Sequence, residues 1–167
     1  MREACQALVR AVHGVRGTQA VAREVARSFG PGAFYALEGD LGAGKTCFVQ
    51  GLCDGLGVRA SVSSPTFAIA NEYDDGDSGR RFVHLDLYRL SGPEELDSIG
   101  WDDYLDSGDS MAVEWPDRAA GRMPPGAIRV RISSGPGPDD RTIEVVPAPP
   151  FRPGVAGDSV RGVPEEG

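Results

Sequence analysis

Lysine is almost missing from this chain of 167 residues: of its 17 basic residues 16 are arginine, and the single lysine is Lys45. A guanine-reading Asn-Lys-x-Asp element therefore cannot be present, and any nucleotide site is expected to prefer ATP over GTP. Cysteine is scarce as well. Cys5, Cys47 and Cys53 are odd in number and unevenly spaced, and they make no C-x-x-C pair of the zinc-binding kind. That pattern suits a reducing cytoplasm better than a secreted disulfide scaffold. No 18 apolar residues follow one another, and the first residues hold no apolar run of signal-peptide length, so neither membrane spanning nor export is expected. Positive charge is outweighed by 25 acidic residues, leaving a formal charge of -8. Because phosphate contacts supply most non-specific affinity, this argues against a protein that grips DNA or RNA over a broad surface of its own. A role on RNA through a partner stays open.

What is present starts with Gly39-Asp40-Leu41-Gly42-Ala43-Gly44-Lys45-Thr46, a complete match to G-x-x-x-x-G-K-[ST]. The glycines let successive backbone N–H groups curl around a phosphate, and the following helix presents its N-terminus to the same negative charge. Lys45 can reach the β- and γ-phosphates, and the Thr46 hydroxyl can ligate magnesium. Cys47, next in line, counts with the nucleotide-contacting run, although neither it nor His13 has neighbours that would make it a nucleophile or ligand. The flanks supply the context the motif requires. Phe34–Glu38 is a short, largely apolar run that suits a buried strand, while Val49, Leu52, Cys53 and Leu56 repeat at helical spacing, with Gly55 and Gly57 marking the helix end.

The rest of the chain alternates in the same manner. Leu8–Val12 reads as a strand, and Thr18 can cap a helix running to Phe29 with Val21, Ala22, Val25 and Ala26 on one face. A stretch from Phe67 to Tyr73, an acidic turn from Asp74 to Gly79 and the run Phe82–Asp86 predict a hairpin. Glu94–Leu105 reads as helical, in one piece or in two broken near Gly100. Met111–Val113 is a short buried strand that delivers Glu114 and Trp115, and Ile128–Ile132 and Thr142–Val146 form a closing pair of strands. Together these predict an α/β protein with the three-layer P-loop NTPase fold and a mixed, mostly parallel central sheet. The folded domain is expected over residues 1–146, with 147–167 a disordered tail rich in proline and glycine.

Two carboxylates stand where such a site needs them. A magnesium ion held by one hydroxyl and two phosphate oxygens still needs an acidic partner at the end of an adjacent apolar strand, and Asp86 ends Phe82–Leu85 in that way. Glu114 ends the next apolar run. At the carboxyl edge of a parallel sheet it would face the same crevice, where it could orient or deprotonate the attacking water or hold a magnesium-bound water. His84, alternating with Val83 and Leu85, is as compatible with a structural role as with a chemical one, and Arg89 suits a salt bridge or a phosphate. The chain has little room for a separate substrate lid, which favours a small triphosphatase coupled to a partner over a small-molecule kinase.

Four blocks in order carry a family resemblance: the loop Gly39–Thr46, then Val62-Ser63-Ser64-Pro65-Thr66-Phe67, then His84-Leu85-Asp86-Leu87-Tyr88-Arg89-Leu90, and Glu114-Trp115-Pro116. Over about residues 8–133 the chain resembles the TsaE (formerly YjeE) family of bacterial P-loop ATPases, which serve threonylcarbamoyladenosine modification of tRNA. The resemblance implies Lys45 on the phosphates, Thr46 and Asp86 on magnesium, and Glu114 near the γ-phosphate and its water. It also implies a switch-like segment at Ser64, Pro65 and Thr66, with Thr18 near the nucleotide and Trp115 at the active site. Further implied are weak ATPase activity alone, the TsaD and TsaB proteins as partners, and tRNA reached indirectly through their complex.

Overall fold

The central strands are buried along almost their whole length, and their side chains divide alternately between two cores on the two faces of one sheet. The computed structural model describes residues 6–59, 61–63, 65, 69–74 and 79–147. Its strands are β1 (Leu8–His13), β2 (Phe34–Glu38), β3 (Ala70–Asp74), β4 (Arg81–Asp86), β5 (Ser110–Glu114), β6 (Ile128–Ser134) and β7 (Asp140–Val146). The helices are α1 (Gly14–Phe29), α2 (Lys45–Leu56) and α3 (Trp101–Asp106), with 3-10 segments at Pro93–Ile99 and Pro116–Ala119. Sheet order is β1-β7-β6-β2-β5-β4-β3. The four strands β6, β2, β5 and β4 run parallel, and antiparallel neighbours extend the sheet on both sides. The α/β class and the mixed sheet are as the sequence predicts.

Side chains on a strand point alternately to opposite faces. Tyr35 and Leu37 of β2, Ala112 of β5 and Phe82 of β4 therefore join Val21, Val25, Phe48 and Leu52 of α1 and α2 in one core. Phe34, Met111, Val113, Val83 and Leu85 face the other way, onto Leu96, Trp101 and Ala119. Helical cover on both faces is what permits parallel strands that are apolar throughout.

Local readings shift in two places. Helix α1 begins at Gly14, so Thr18 is a buried residue inside the helix and not its cap. Gly55 does not end α2, which runs to Leu56 and is closed by left-handed Gly57. Gly55 and Gly51 are instead contact points. A Cβ on Gly51 would lie 2.6 Å from both Ala22 Cβ and Gln19 O, and one on Gly55 would lie 2.9 Å from Ala26 Cβ. Glycine at these two positions, facing alanines spaced likewise, lets α1 and α2 approach at near backbone contact. The segment after Pro93 is indeed in two pieces, split at Gly100, where φ is 77°. The predicted tail from residue 148 onward, the tip of the acidic turn at 75–78 and the start of the extended stretch at 67–68 lie outside the described residues.

Candidate functional site

The chain leaves β2 at Glu38 and turns at once into the glycine-rich loop. Crowding fixes Gly39: a Cβ there would stand 2.7 Å from the Ile132 carbonyl oxygen and 3.1 Å from Ala43 Cβ. Handedness fixes Gly44, whose φ of 106° lies in the region that L side chains avoid. Inside the loop the Ala43 N–H donates to the Asp40 carbonyl at 3.0 Å. Asp40, Leu41 and Gly42 are exposed, while Thr46 and Cys47 are half-buried on the first turn of α2. Lys45 opens that helix and is only 7% exposed. Its Nζ donates to the Gly39 carbonyl at 2.5 Å and sits 4.4 Å from the centre of the Trp115 ring. Thr18 of α1 reaches the loop from behind, its Cγ2 at 4.0 Å from where a Gly44 Cβ would be.

Parallel pairing brings the carboxylates to the same edge. Strands β2, β5 and β4 are neighbours with their carboxyl ends aligned, so Glu114 lies opposite Leu37 on one side and Asp86 on the other. Alternation puts His84, Asp86 and Glu114 on the face that α1 and α2 cover. Asp86 is half-buried, and its Oδ1 accepts the Tyr88 N–H at 3.0 Å. Burial holds its carboxyl above the usual range, the nearby Glu114 carboxylate pushes the same way, and the Tyr88 N–H and His84 oppose both. Glu114 is 3% exposed. His84 Nε2 lies 3.7 Å from its Oε1, and neither ring nitrogen of the fully buried His84 has a hydrogen-bond partner among the described residues.

Trp115 follows immediately and is the one non-glycine among the described residues with positive φ, 55°. A bulky aromatic in that region is strained by about 1–3 kcal/mol, and such strain concentrates at functional sites. The strained turn aims the indole back over Lys45, and Tyr88 packs against it with ring centres 5.0 Å apart. The Lys45–indole contact is worth about 2 kcal/mol when desolvated.

The neighbouring carboxylates of Asp86 and Glu114, and the Thr46 hydroxyl on the first turn of α2, are hard oxygen donors of the kind magnesium selects. Burial is the main cause that raises Asp86, and a cation there would offset the Glu114 repulsion that adds to it, so the residues fit the metal. The sheet edge thus gathers Lys45, Thr46, Asp86, Glu114, Trp115 and His84, with Thr18 packed behind the loop. Arg89 is exposed, and His13 lies at the end of β1 in an ion pair with Asp140 at 2.7 Å. Of the switch-like segment, Pro65 is buried and Ser64 and Thr66 lie outside the described residues. Its approach is tethered: the Tyr73 hydroxyl donates to the Ser63 carbonyl at 3.0 Å and Gln50 Nε2 to the Val62 carbonyl at 3.1 Å. Two residues at the site escaped sequence reasoning. Tyr88 stood in a recognised block with nothing to indicate stacking. Arg141 carried no signal at all, because the loop carbonyls it bonds are 98 and 99 positions away.

Comparison with known proteins gives one answer. The family model described as threonylcarbamoyl adenosine biosynthesis protein TsaE matches residues 12–143. The tRNA threonylcarbamoyladenosine biosynthesis protein TsaE of Bacillus subtilis is 38% identical over 126 residues, 75% of this chain and 77% of that protein. Its counterpart from Haemophilus influenzae is 39% identical over 110 residues, 66% and 67% of the two chains. The crystal structure of YdiB from Bacillus subtilis superposes with a TM-score of 0.68 at 32% identity, over 86% of this chain and 87% of that one.

Proposed function

The chain belongs to the TsaE family of threonylcarbamoyladenosine biosynthesis proteins, and from that premise we propose that it is a magnesium-dependent ATPase supporting threonylcarbamoyl transfer to adenosine 37 of tRNA with the TsaD and TsaB proteins. One observation carries the ATPase reading: Lys45 of the loop, Asp86 and Glu114 converge at the carboxyl edge of three parallel strands, the usual ligand crevice of an open α/β sheet.

Each residue then has a task. Lys45 exchanges the Gly39 carbonyl for oxygens of the β- and γ-phosphates, and Trp115 keeps its ammonium aimed across the loop. The backbone N–H groups of the loop and the first turn of α2 complete the phosphate cradle. Thr46 and Asp86, with Glu114 beside them, would hold magnesium, which would supply charge neutralisation on the phosphate oxygens. Glu114 orients or deprotonates the water whose oxygen attacks the γ-phosphorus; the bond to the bridging oxygen breaks and ADP departs. His84, buried against Glu114, limits where that carboxylate can turn. The preference for ATP rests on the missing guanine-reading lysine element. The formal charge of -8 supports leaving the tRNA-binding surface to the partners.

Reconstitution with TsaD, TsaB, tRNA and the threonylcarbamoyl donor tests the proposal, with phosphate release and modified tRNA followed together. Slow phosphate release by the protein alone, accelerated by the pair, and repeated modification cycles only with hydrolysable ATP are expected. Phosphorylation of a small metabolite would sink this reading. Repeated cycles with a non-hydrolysable analogue would reduce the protein to a nucleotide-gated binding module.

A further inference from the structure

The turn between β6 and β7 reaches into the phosphate loop through one side chain. Arg141, the second residue of β7, spends its guanidinium on backbone carbonyls. Nε donates to Ala43 O at 3.1 Å, Nη2 to Gly42 O at 3.4 Å, and Nη1 to Pro138 O and Asp140 O at 2.8 Å each. The turn that carries it is itself pinned. Asp140 Oδ2 accepts the Gly137 N–H at 2.9 Å, the Gly14 N–H donates to the Asp139 carbonyl at 2.8 Å, and His13 pairs with Asp140. The guanidinium is thus a rigid fork on a fixed base, bridging two segments far apart in sequence.

A peptide unit is planar and trans, so its C=O and the next residue's N–H point in opposite directions. Holding the Ala43 carbonyl toward Arg141 therefore turns the Gly44 N–H the other way. Holding the Gly42 carbonyl does the same for the Ala43 N–H, which is already committed to the Asp40 carbonyl. The Gly44 N–H is the one left to serve a ligand. A charged donor on the carbonyl also polarises the peptide and strengthens that N–H as a donor. Gly44 needs such a restraint more than most residues, because glycine at φ 106° has no Cβ to limit its rotation.

We infer that Arg141 is a positioning residue of the nucleotide site: it aims the Gly44 N–H at the β-phosphate by gripping the outward carbonyls of the phosphate loop. The inference rests on the phosphate-loop reading above. Lysine could not replace it, because one ammonium cannot span four carbonyls on both segments as a planar fork does.

The test compares ADP with AMP, both with magnesium, by calorimetry on the wild type, Arg141→Ala, Arg141→Lys and Lys45→Ala, alongside thermal melting. AMP lacks the β-phosphate, so the ratio of the two affinities isolates the phosphate the loop holds. In Arg141→Ala the preference for ADP should fall about tenfold, and Arg141→Lys should recover little of it despite its charge. The Gly44 amide resonance should move less on adding ADP in both variants. Equal loss of ADP and AMP affinity would mean general support of the fold and overturn the inference, as would full rescue by lysine. Should Arg141→Ala fail to fold, the Arg141→Lys ratio and its Gly44 resonance decide alone. A wild-type protein with no preference for ADP would defeat the phosphate-loop reading and this inference together; a wild-type preference that survives in Arg141→Ala would defeat the inference alone.

Discussion

The surroundings of Asp86 disfavour its charged form, and the stability effect can be worked out in sign. Burial and then Glu114 raise its folded-state pKa above the unfolded value. Between those two values the folded chain holds a proton that the unfolded chain has released, so stability falls as pH rises through that interval. Above it the charged carboxylate remains a net burden. Asp86→Asn should therefore melt no lower than the wild type at pH 7 without magnesium, and any advantage should vanish once the pH drops below the ordinary carboxylate range, near pH 4. The same variant should lose magnesium-dependent hydrolysis. Melting curves across pH, with and without magnesium, check both halves; a lower melting point at pH 7 would contradict the origin assigned to the shift. Glu114 calls for a different measurement. Glu114→Gln keeps the shape and removes the proton acceptor, so turnover should drop about 10²- to 10⁴-fold while ATP affinity changes far less. Parallel loss of both, read by titration and single-turnover hydrolysis, would make Glu114 a supporting residue.

At the scale of elements, the packing of α1 on α2 ties the fold to the site. Gly51 and Gly55 let the helices approach closely, and that approach sets Thr18 of α1 against Gly44 of the loop. Two effects compete in Gly51→Val. Removing a helix glycine gains a few tenths of a kcal/mol once the poorer propensity of valine is counted, whereas overpacking costs about 1–3 kcal/mol. Overpacking wins, since the first atoms in the way are Gln19 backbone oxygen and Ala22 Cβ, both at 2.6 Å from the new Cβ. A loss of about 2 kcal/mol in denaturant unfolding is expected, with weaker ATP binding as Thr18 moves off the loop. Destabilisation with unchanged ATP affinity would separate the helix contact from the site.

For the whole molecule, the sheet is both scaffold and address. Four parallel strands send their carboxyl ends to one edge, and the β6–β7–β1 extension wraps round far enough for Arg141 to reach the loop. With a formal charge of -8 the isolated protein should not shift tRNA in a native gel at micromolar concentration and physiological salt, whereas the assembly with TsaD and TsaB should. Retention of tRNA by the protein alone would move the RNA-binding surface onto this chain. The sequence by itself determined the β2–loop–α2 unit, because its glycines, apolar strand and helical spacing act between near neighbours. It also determined which runs end in Asp86 and Glu114, while it left the segment around Gly100 open as one piece or two. Only the tertiary structure decided that Asp86 faces Glu114, that Gly55 is a packing surface and not a helix stop, that Thr18 backs the loop from within α1, and that Arg141 grips it. Each of these depends on strand order, register or helix approach. Such contacts join residues tens of positions apart through backbone atoms that every residue type shares, and so they leave no mark on the local pattern.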